Sequence, residues 1–226
     1  MTVACVFVRG PYPYTPEYVI RLEQMARRFL ARSFRFVCFT DQPKAFTAPI
    51  ETIHIPATLP GAQKAIGYWN KLQLFNPAHG LTGRVLFLDL DVLVVADLAP
   101  LVDFPATFAL AADELALTKP ARAANSIGLT IIRKFNASAM AWDVGSTAGL
   151  WRGWTPAVTA TLQGDQDWYA ERMPDAAAMP VEWFPRISSI GPAGVIPDAA
   201  KVVLVKTPKN AIAAKQFPWF AARWGA

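Results

Sequence analysis

The chain has 226 residues, of which 53% are hydrophobic and 17% are charged, and its net charge is +5 from 22 basic and 17 acidic residues. This composition predicts one domain with a sizeable core and excludes a disordered tail. No apolar stretch reaches the roughly 18 residues that span a bilayer, and residues 1–8 lack the basic leader and cleavage site of a secreted protein, so we expect a cytoplasmic protein. Two cysteines in strand-like apolar runs, Cys5 and Cys38, favour buried reduced thiols over a disulfide or a zinc site.

The excess of positive charge can attract anionic partners. Nucleotides, polyanionic glycans and an acidic membrane face all belong to this class, so charge alone leaves a peripheral membrane contact open. Several arginines cluster near the end of the first predicted helix, but no long basic run with interleaved aromatic residues follows. We therefore expect no nucleic-acid partner.

The predicted elements alternate between strands and helices along the chain. In order they are a strand at 3–8, a helix from 16 to about 32, strands at 34–39 and 50–55, a helix from about 63 to 75, and strands at 85–88, 108–112 and 138–142. This alternation predicts an α/β sheet covered by helices on both faces. Ligands of such sheets bind beyond the carboxyl ends of the strands, where the loops after Val8, Phe39 and Leu88 should lie.

Two carboxylates interrupt an apolar run at the end of one of these strands. Asp89 and Asp91 stand between residues 85–88 and 92–95, and strand alternation predicts that both point the same way. Two ionised groups so close together need a compensating cation, and carboxylate oxygens suit Mg²⁺ or Mn²⁺, which can also bridge to the phosphates of a nucleotide. The alternative is a strand followed by a turn in which an Asp caps a helix or closes an Asx-turn.

Five segments occur in an order and spacing typical of one family: Phe36-Val-Cys-Phe-Thr-Asp41, Gly67-Tyr-Trp-Asn-Lys-Leu72, Leu88-Asp-Leu-Asp91, Phe135-Asn-Ala-Ser-Ala-Met-Ala-Trp142 and Gly164-Asp-Gln-Asp-Trp168. With these segments the chain resembles the GT-A-fold glycosyltransferases related to glycosyltransferase family 8, the glycogenin-like and galactosyltransferase-like enzymes. The resemblance implies a GT-A-type, Rossmann-like mixed sheet flanked by helices. It also implies a single domain over residues 1–226, with a nucleotide-binding part at about 1–105 and an acceptor or sugar part at about 106–226.

The resemblance implies roles for several side chains. Asp91 would ligate Mn²⁺ or Mg²⁺ directly, and Asp89 would contact the metal or the ribose. Asn136 would contact the sugar, and Asp165 and Gln166 would form the catalytic part of the sugar site. The same residues have ordinary interpretations as well, because an Asn commonly ends a strand and a Gly-Asp pair before a helix commonly forms a capping turn.

The first loop would cradle the nucleoside base. It opens at Arg9, and Tyr12 or Tyr14 could stack on the base. Lys71, in the Trp-Asn-Lys-Leu segment, would steady a phosphate, although a surface lysine is an equally ordinary interpretation.

The chain departs from the family near its C-terminus. Related sequences close the site with a His-Gly-x-x-Lys-Pro segment, whose His completes the metal ligands. The corresponding stretch here, residues 203–210, has no histidine. Lys206 stands about where the His would be; a protonated ammonium cannot ligate a metal, but it could instead replace the cation as a fixed charge beside phosphate. Lys209 matches the phosphate-binding Lys.

Two functions are therefore expected from the sequence. The first is transfer of a hexose from a nucleotide-diphosphate sugar, most simply a UDP-sugar, to a glycan, lipid-linked or small-molecule acceptor, with metal assistance and retention of configuration. The second is a catalytically degenerate family member that binds a nucleotide or a glycan without turnover.

Overall fold

The protein is built around a mixed seven-stranded β-sheet. The computed structural model describes residues 1–10, 12–59, 67–112, 135–162, 164–205 and 216–224, with the backbone alone of 122–124 and 130–132. The strand order of the large sheet is β10-β6-β9-β4-β1-β2-β3. β1 pairs in parallel with β2 and β4, whereas β9 runs antiparallel to both of its neighbours. This arrangement confirms the predicted α/β class.

The strands have the following bounds: β1 Thr2–Phe7, β2 Arg35–Thr40, β3 Ile50–His54, β4 Arg84–Leu88, β5 Val92–Val94, β6 Phe108–Ala112, β7 Arg122–Ala124, β8 Thr130–Ile132, β9 Phe135–Asp143, β10 Ala177–Met179 and β11 Val202–Leu204. Two small antiparallel sheets, β11-β5 and β7-β8, accompany the large one.

The α-helices are α1 Pro16–Phe29, α2 Ala99–Val102, α3 Ala148–Arg152, α4 Val158–Thr161, α5 Asp165–Arg172, α6 Ile187–Ile190 and α7 Pro218–Trp224, with 3₁₀ helices at Pro43–Ala45, Gly67–Phe75, Pro77–His79 and Val181–Trp183. No helix in the part of the chain that the structure describes has both the length and the apolar character needed to cross a bilayer.

The large sheet separates two hydrophobic clusters. β4 shows the division, because Leu86 and Leu88 belong to the cluster beneath α1, whereas Val85 and Phe87 belong to the cluster on the opposite face. This alternation is the period of two that a strand imposes. The core therefore lies on both faces of the sheet, and the carboxyl ends of β1 and β4 are left to form a cleft.

Two predicted helices differ from those observed. The first ends at Phe29 and not near residue 32. The second was predicted as an ordinary helix from about residue 63, but its described part, Gly67–Phe75, is 3₁₀; residues 63–66 lie outside the described ranges. Three residues per turn align Trp69, Leu72 and Phe75 on one side, and all three are buried. The 3₁₀ winding therefore directs these three side chains together into the core.

Candidate active site

A cavity of about 600 Å³ opens at the carboxyl ends of β1 and β4. Its walls come from the end of β1 and the loop that follows, from the 3₁₀ helix Gly67–Phe75, from the turn after β4, from β9 and from the start of α5. The lining residues are Val6, Val8, Gly10, Tyr12, Tyr14, Gly67, Tyr68, Lys71, Asp89, Leu90, Asp91, Asn136, Ser138, Gly164, Asp165 and Gln166. The structure thus brings together eight of the predicted site residues.

The two carboxylates of the Asp-x-Asp segment both line this cavity, but they stand on a turn and not on a strand. β4 ends at Leu88 and β5 begins at Val92, so residues 89–91 form the connection. The backbone N–H of Asp89 donates to the carbonyl of Ser138 at 2.8 Å, and the carbonyl of Asp91 accepts from Val205 at 3.2 Å. These bonds to neighbouring segments fix the turn that presents both side chains.

Lys71 is the central cation of the site. Its Nζ lies 2.8 Å from each carboxylate oxygen of Asp89 and donates to the carbonyl of Ala137 at 3.1 Å. A carboxylate oxygen of Asp165 is 3.8 Å away. The lysine side chain is only 11% exposed, so it is not the surface lysine that the sequence alone left open. Lys71 joins the turn after β4 to the start of α5.

Among the residues that the structure describes, the charges in this cluster are unequal, because three carboxylates face one ammonium group. Burial raises the pKa of Asp91 to about 6, and the charge of Asp89 adds to the rise. Burial likewise raises the pKa of Asp165 to about 6, although Lys71 opposes the change. Burial alone would lower the pKa of Lys71, but the carboxylates of Asp89 and Asp165 outweigh it and the pKa is raised. The described part of the site is therefore short of positive charge.

Asp165 and Gln166 are the first two residues of α5, with Gly164 at the N-cap. The Asp165 carboxylate is buried, and its Oδ2 has no hydrogen-bond partner among the described atoms. The segment does form the helix start that its ordinary interpretation predicts, yet both side chains also line the cavity. A capping position and a place in the site are therefore compatible.

Asn136 lies near the start of β9, beside an irregularity in its pairing with β6. Its Oδ1 accepts a hydrogen bond from the backbone N–H of Ser138 at 2.8 Å. The side chain is buried and lines the cavity. Its amide is thus held at the wall by its own strand.

Of the predicted residues in the first loop, Tyr12 and Tyr14 line the cavity and Arg9 does not. The backbone N–H and Nε of Arg9 donate to the buried Asp41 carboxylate at 3.0 and 2.6 Å, and its side chain is 73% exposed. Tyr12 is exposed at the rim. Tyr14 is more enclosed: burial and the nearby Asp91 charge raise the pKa of its hydroxyl, and its ring lies edge-on against Tyr18 with centroids 5.3 Å apart.

The donor set of Asp89 and Asp91 fits a hard divalent cation. Carboxylate oxygens are the preferred ligands of Mg²⁺ and suit Mn²⁺, and the excess of negative charge favours a dication. Within the described ranges no three His, Cys, Asp or Glu side chains are arranged to hold a metal, so protein carboxylates supply only part of a ligand shell. Lys206 and Lys209 lie outside the described residues.

Tyr68, Leu90 and Ser138 also line the cavity, although the sequence analysis did not single them out. Each lies within three residues of a predicted site residue. Tyr68 packs against Gly164, where an added Cβ would lie 3.4 Å from its ring. The signal available in the sequence was its position three residues before Lys71, which a 3₁₀ helix places on the same side.

The structure of this chain is similar to those of several solved glycosyltransferases. The galactosyltransferase LgtC, solved in complex with donor and acceptor sugar analogs, is 14% identical, with a TM-score of 0.67 over 100% of this chain and 95% of that chain. The bifunctional glycosyltransferase WbbM in its apo form is 16% identical, with a TM-score of 0.59 over 99% of this chain and 51% of that one. Mouse xyloside xylosyltransferase 1, also apo, is 11% identical, with a TM-score of 0.57 over 92% and 98%.

No protein-family model and no curated protein matches the chain. The structural similarities establish the GT-A glycosyltransferase fold, a mixed sheet flanked by helices. They confirm the fold that the sequence resemblance implied.

Proposed function

We propose that this GT-A-fold protein is a glycosyltransferase that moves a sugar from a nucleotide-diphosphate donor to an acceptor. The observation that carries the proposal is the cluster of Asp89, Asp91 and Asp165 around Lys71, in a cavity at the carboxyl edge of the sheet. Sheets of this kind bind nucleotides at that edge. The size of the cavity suits a ligand of several hundred Å³.

Charge explains how a carboxylate-rich site would hold an anionic donor. The three carboxylates and one ammonium of the described residues would repel a diphosphate without a further cation. Mn²⁺ or Mg²⁺, held by Asp91 with Asp89 close by, would stabilise the charge that develops on the departing nucleoside diphosphate. A UDP-sugar is the donor that we propose, with Tyr12 at the rim placed to stack on the base.

The sugar would lie between β9 and the start of α5. Asn136 supplies an amide, Gln166 supplies a second one, and Asp165 supplies a carboxylate, which together suit the hydroxyls of a hexose. Lys71 positions Asp165 and Asp89 relative to each other. The family resemblance implies retention of configuration, and because Gln166 is a poor nucleophile we propose that the acceptor attacks from the face from which the diphosphate departs.

The cavity draws on both parts of the proposed single domain. Lys71 and the Asp-x-Asp turn belong to the nucleotide part at about 1–105, and Asn136 and Asp165 belong to the sugar and acceptor part at about 106–226. This arrangement supports a donor site formed between the two parts. We propose a glycan, a lipid-linked glycan or a small molecule as the acceptor.

Calorimetry with UDP and Mn²⁺, followed by a hydrolysis and transfer screen of UDP-sugars, tests the proposal. We expect Mn²⁺-dependent UDP binding and turnover of at least one donor. Asp91→Asn should abolish both. The control is Asp143→Asn, which changes a half-exposed carboxylate outside the cavity and should leave both intact.

Other outcomes have distinct meanings. Binding of a nucleotide or glycan without metal and without turnover would favour the degenerate binding protein. Full turnover in Asp91→Asn would remove the metal from the proposal. Absence of any nucleotide or sugar ligand would overturn both functions.

A further inference from the structure

We infer that Lys71 is an internal counter-ion that pairs with the Asp89 carboxylate and keeps a metal from ligating it. A divalent metal therefore binds this site together with the donor's diphosphate and not before it. The inference rests on the proposed function, because it describes how the same site takes up its metal. It concerns the order of binding, which the residues around Lys71 determine.

The hydrogen bonds of Lys71 hold its ammonium in one place. An ammonium has three protons to donate, and the neighbouring acceptors are the two oxygens of Asp89 at 2.8 Å and the Ala137 carbonyl at 3.1 Å. The side chain is almost fully enclosed, with 11% of it exposed. A lysine bonded in this way cannot swing into solvent without leaving the partly buried Asp89 carboxylate and the Ala137 carbonyl without the hydrogen bonds that it donates.

A metal arriving alone would meet this ammonium directly. Ligation of Asp89 would require the oxygens that Lys71 already holds, and the dication would lie close to a fixed positive charge. Asp91 would then remain as the principal available carboxylate. One carboxylate makes a weak site for Mg²⁺ or Mn²⁺.

A nucleoside diphosphate changes this balance in two ways. Its oxygens add ligands for the metal, and its negative charge offsets the repulsion between the metal and Lys71. The diphosphate in turn is favoured by the dication, because three carboxylates of the described lining surround it. Donor and metal therefore bind with strong positive coupling, and each should raise the affinity of the other by the same factor.

Two variants separate the release of Asp89 from a change in net charge. Lys71→Met removes the ammonium and keeps an unbranched side chain. The double variant Lys71→Gln with Asp165→Asn removes one positive and one negative charge, so the net charge of the cluster stays that of the wild type while Asp89 is freed. The double variant also covers the case in which Lys71→Met does not fold.

The measurement is the affinity for Mn²⁺ alone, by electron paramagnetic resonance or calorimetry at pH 8. There the groups with a pKa of about 6, Asp91 and Asp165, are ionised. We expect weak binding by the wild type and binding tighter by on the order of tenfold in both variants. Mn²⁺ alone should also raise the melting temperature of the variants and leave that of the wild type nearly unchanged. Lys71→Arg, which keeps the cation, should behave as the wild type does.

Tight binding of Mn²⁺ alone by the wild type, or unchanged affinity in the double variant, would overturn the inference. A failed proposed function would look different, because the wild type would then bind no UDP even with Mn²⁺ present. The affinity for Mn²⁺ without nucleotide tests the role of Lys71 whether or not the wild type binds UDP.

Discussion

Replacing Asp165 by Asn should make the metal-free protein more stable and the transferase less active. The structure raises the pKa of the Asp165 carboxyl from 3.8 to about 6. A tenfold change in proton affinity is worth about 1.4 kcal/mol, so the ionised carboxylate costs the native state up to about 3 kcal/mol at neutral pH. Asn removes this cost and keeps a similar shape. The Asn amide attracts the Lys71 ammonium less than a carboxylate does, which offsets part of this stabilisation. We therefore expect a net stabilisation of about 1–3 kcal/mol.

Urea unfolding of the metal-free protein at pH 7.5 and at pH 4 measures this effect. The native state holds the Asp165 proton to a higher pH than the unfolded chain does. The unfolding free energy of the wild type should therefore fall as pH rises from about 4 to about 6 and level off above that. The unfolding free energy of Asp165→Asn should exceed that of the wild type by an amount that grows over the same pH range and vanishes below about pH 4.

Asp103→Asn is the matched control. That carboxylate is exposed and accepts two hydrogen bonds from Arg32, which lower its pKa, so its replacement should give no stabilisation. Loss of stability in Asp165→Asn at pH 7.5 would refute the reasoning. It would mean that the attraction between Lys71 and Asp165 stabilises the native state by more than burial and the repulsion among the three carboxylates destabilise it.

Three further predictions follow from named contacts. The affinity for UDP with Mn²⁺ should fall as pH is lowered through about 6, because Asp91 must release its proton to bind a cation; calorimetry from pH 5 to 7.5 measures this, and a flat profile would contradict it. Tyr14→Phe should move the midpoint of that profile upward, since the Tyr14 hydroxyl lowers the pKa of Asp91, and an unmoved midpoint in a folded variant would show that the hydroxyl has no such effect. Gly194→Ala should lower the melting temperature by about 4–8 °C, or about 2 kcal/mol, because φ is +70° and the new Cβ would lie 2.5 Å from the Trp219 ring; Gly83→Ala, with φ +67° and no atom within 4 Å, should show the smaller effect of backbone strain alone.

The sheet and the centre of the site could be predicted because they depend on local patterns. Short, nearly continuous apolar runs identified the central strands, and Asp89 and Asp91 interrupted one of these runs. The order of the five family segments placed Asn136 and Asp165 at the same edge, and the cavity contains them all. A motif located at a strand end needs only the topological rule to find its partners.

Contacts between distant segments could not be predicted in the same way. The sequence did not show that Lys71 would bond both oxygens of Asp89, because that pairing depends on how a 3₁₀ helix meets a turn. It also did not show that Arg9 would turn away from the cavity to Asp41, 32 residues later. A long side chain chooses among several partners, and only tertiary packing decides between them.

The charge cluster also bears on the kinetics of folding. Lys71, Asp89 and Asp165 come from three separate segments, so their mutual repulsion and attraction develop only when the 3₁₀ helix, the turn after β4 and the start of α5 have docked. We expect these contacts to form after the folding transition state, and contacts of that kind act mainly on the rate of unfolding. We therefore expect the ligand-free wild type to unfold faster than ligand-free Asp165→Asn, while both refold at similar rates. A bound ligand should slow the unfolding of the wild type.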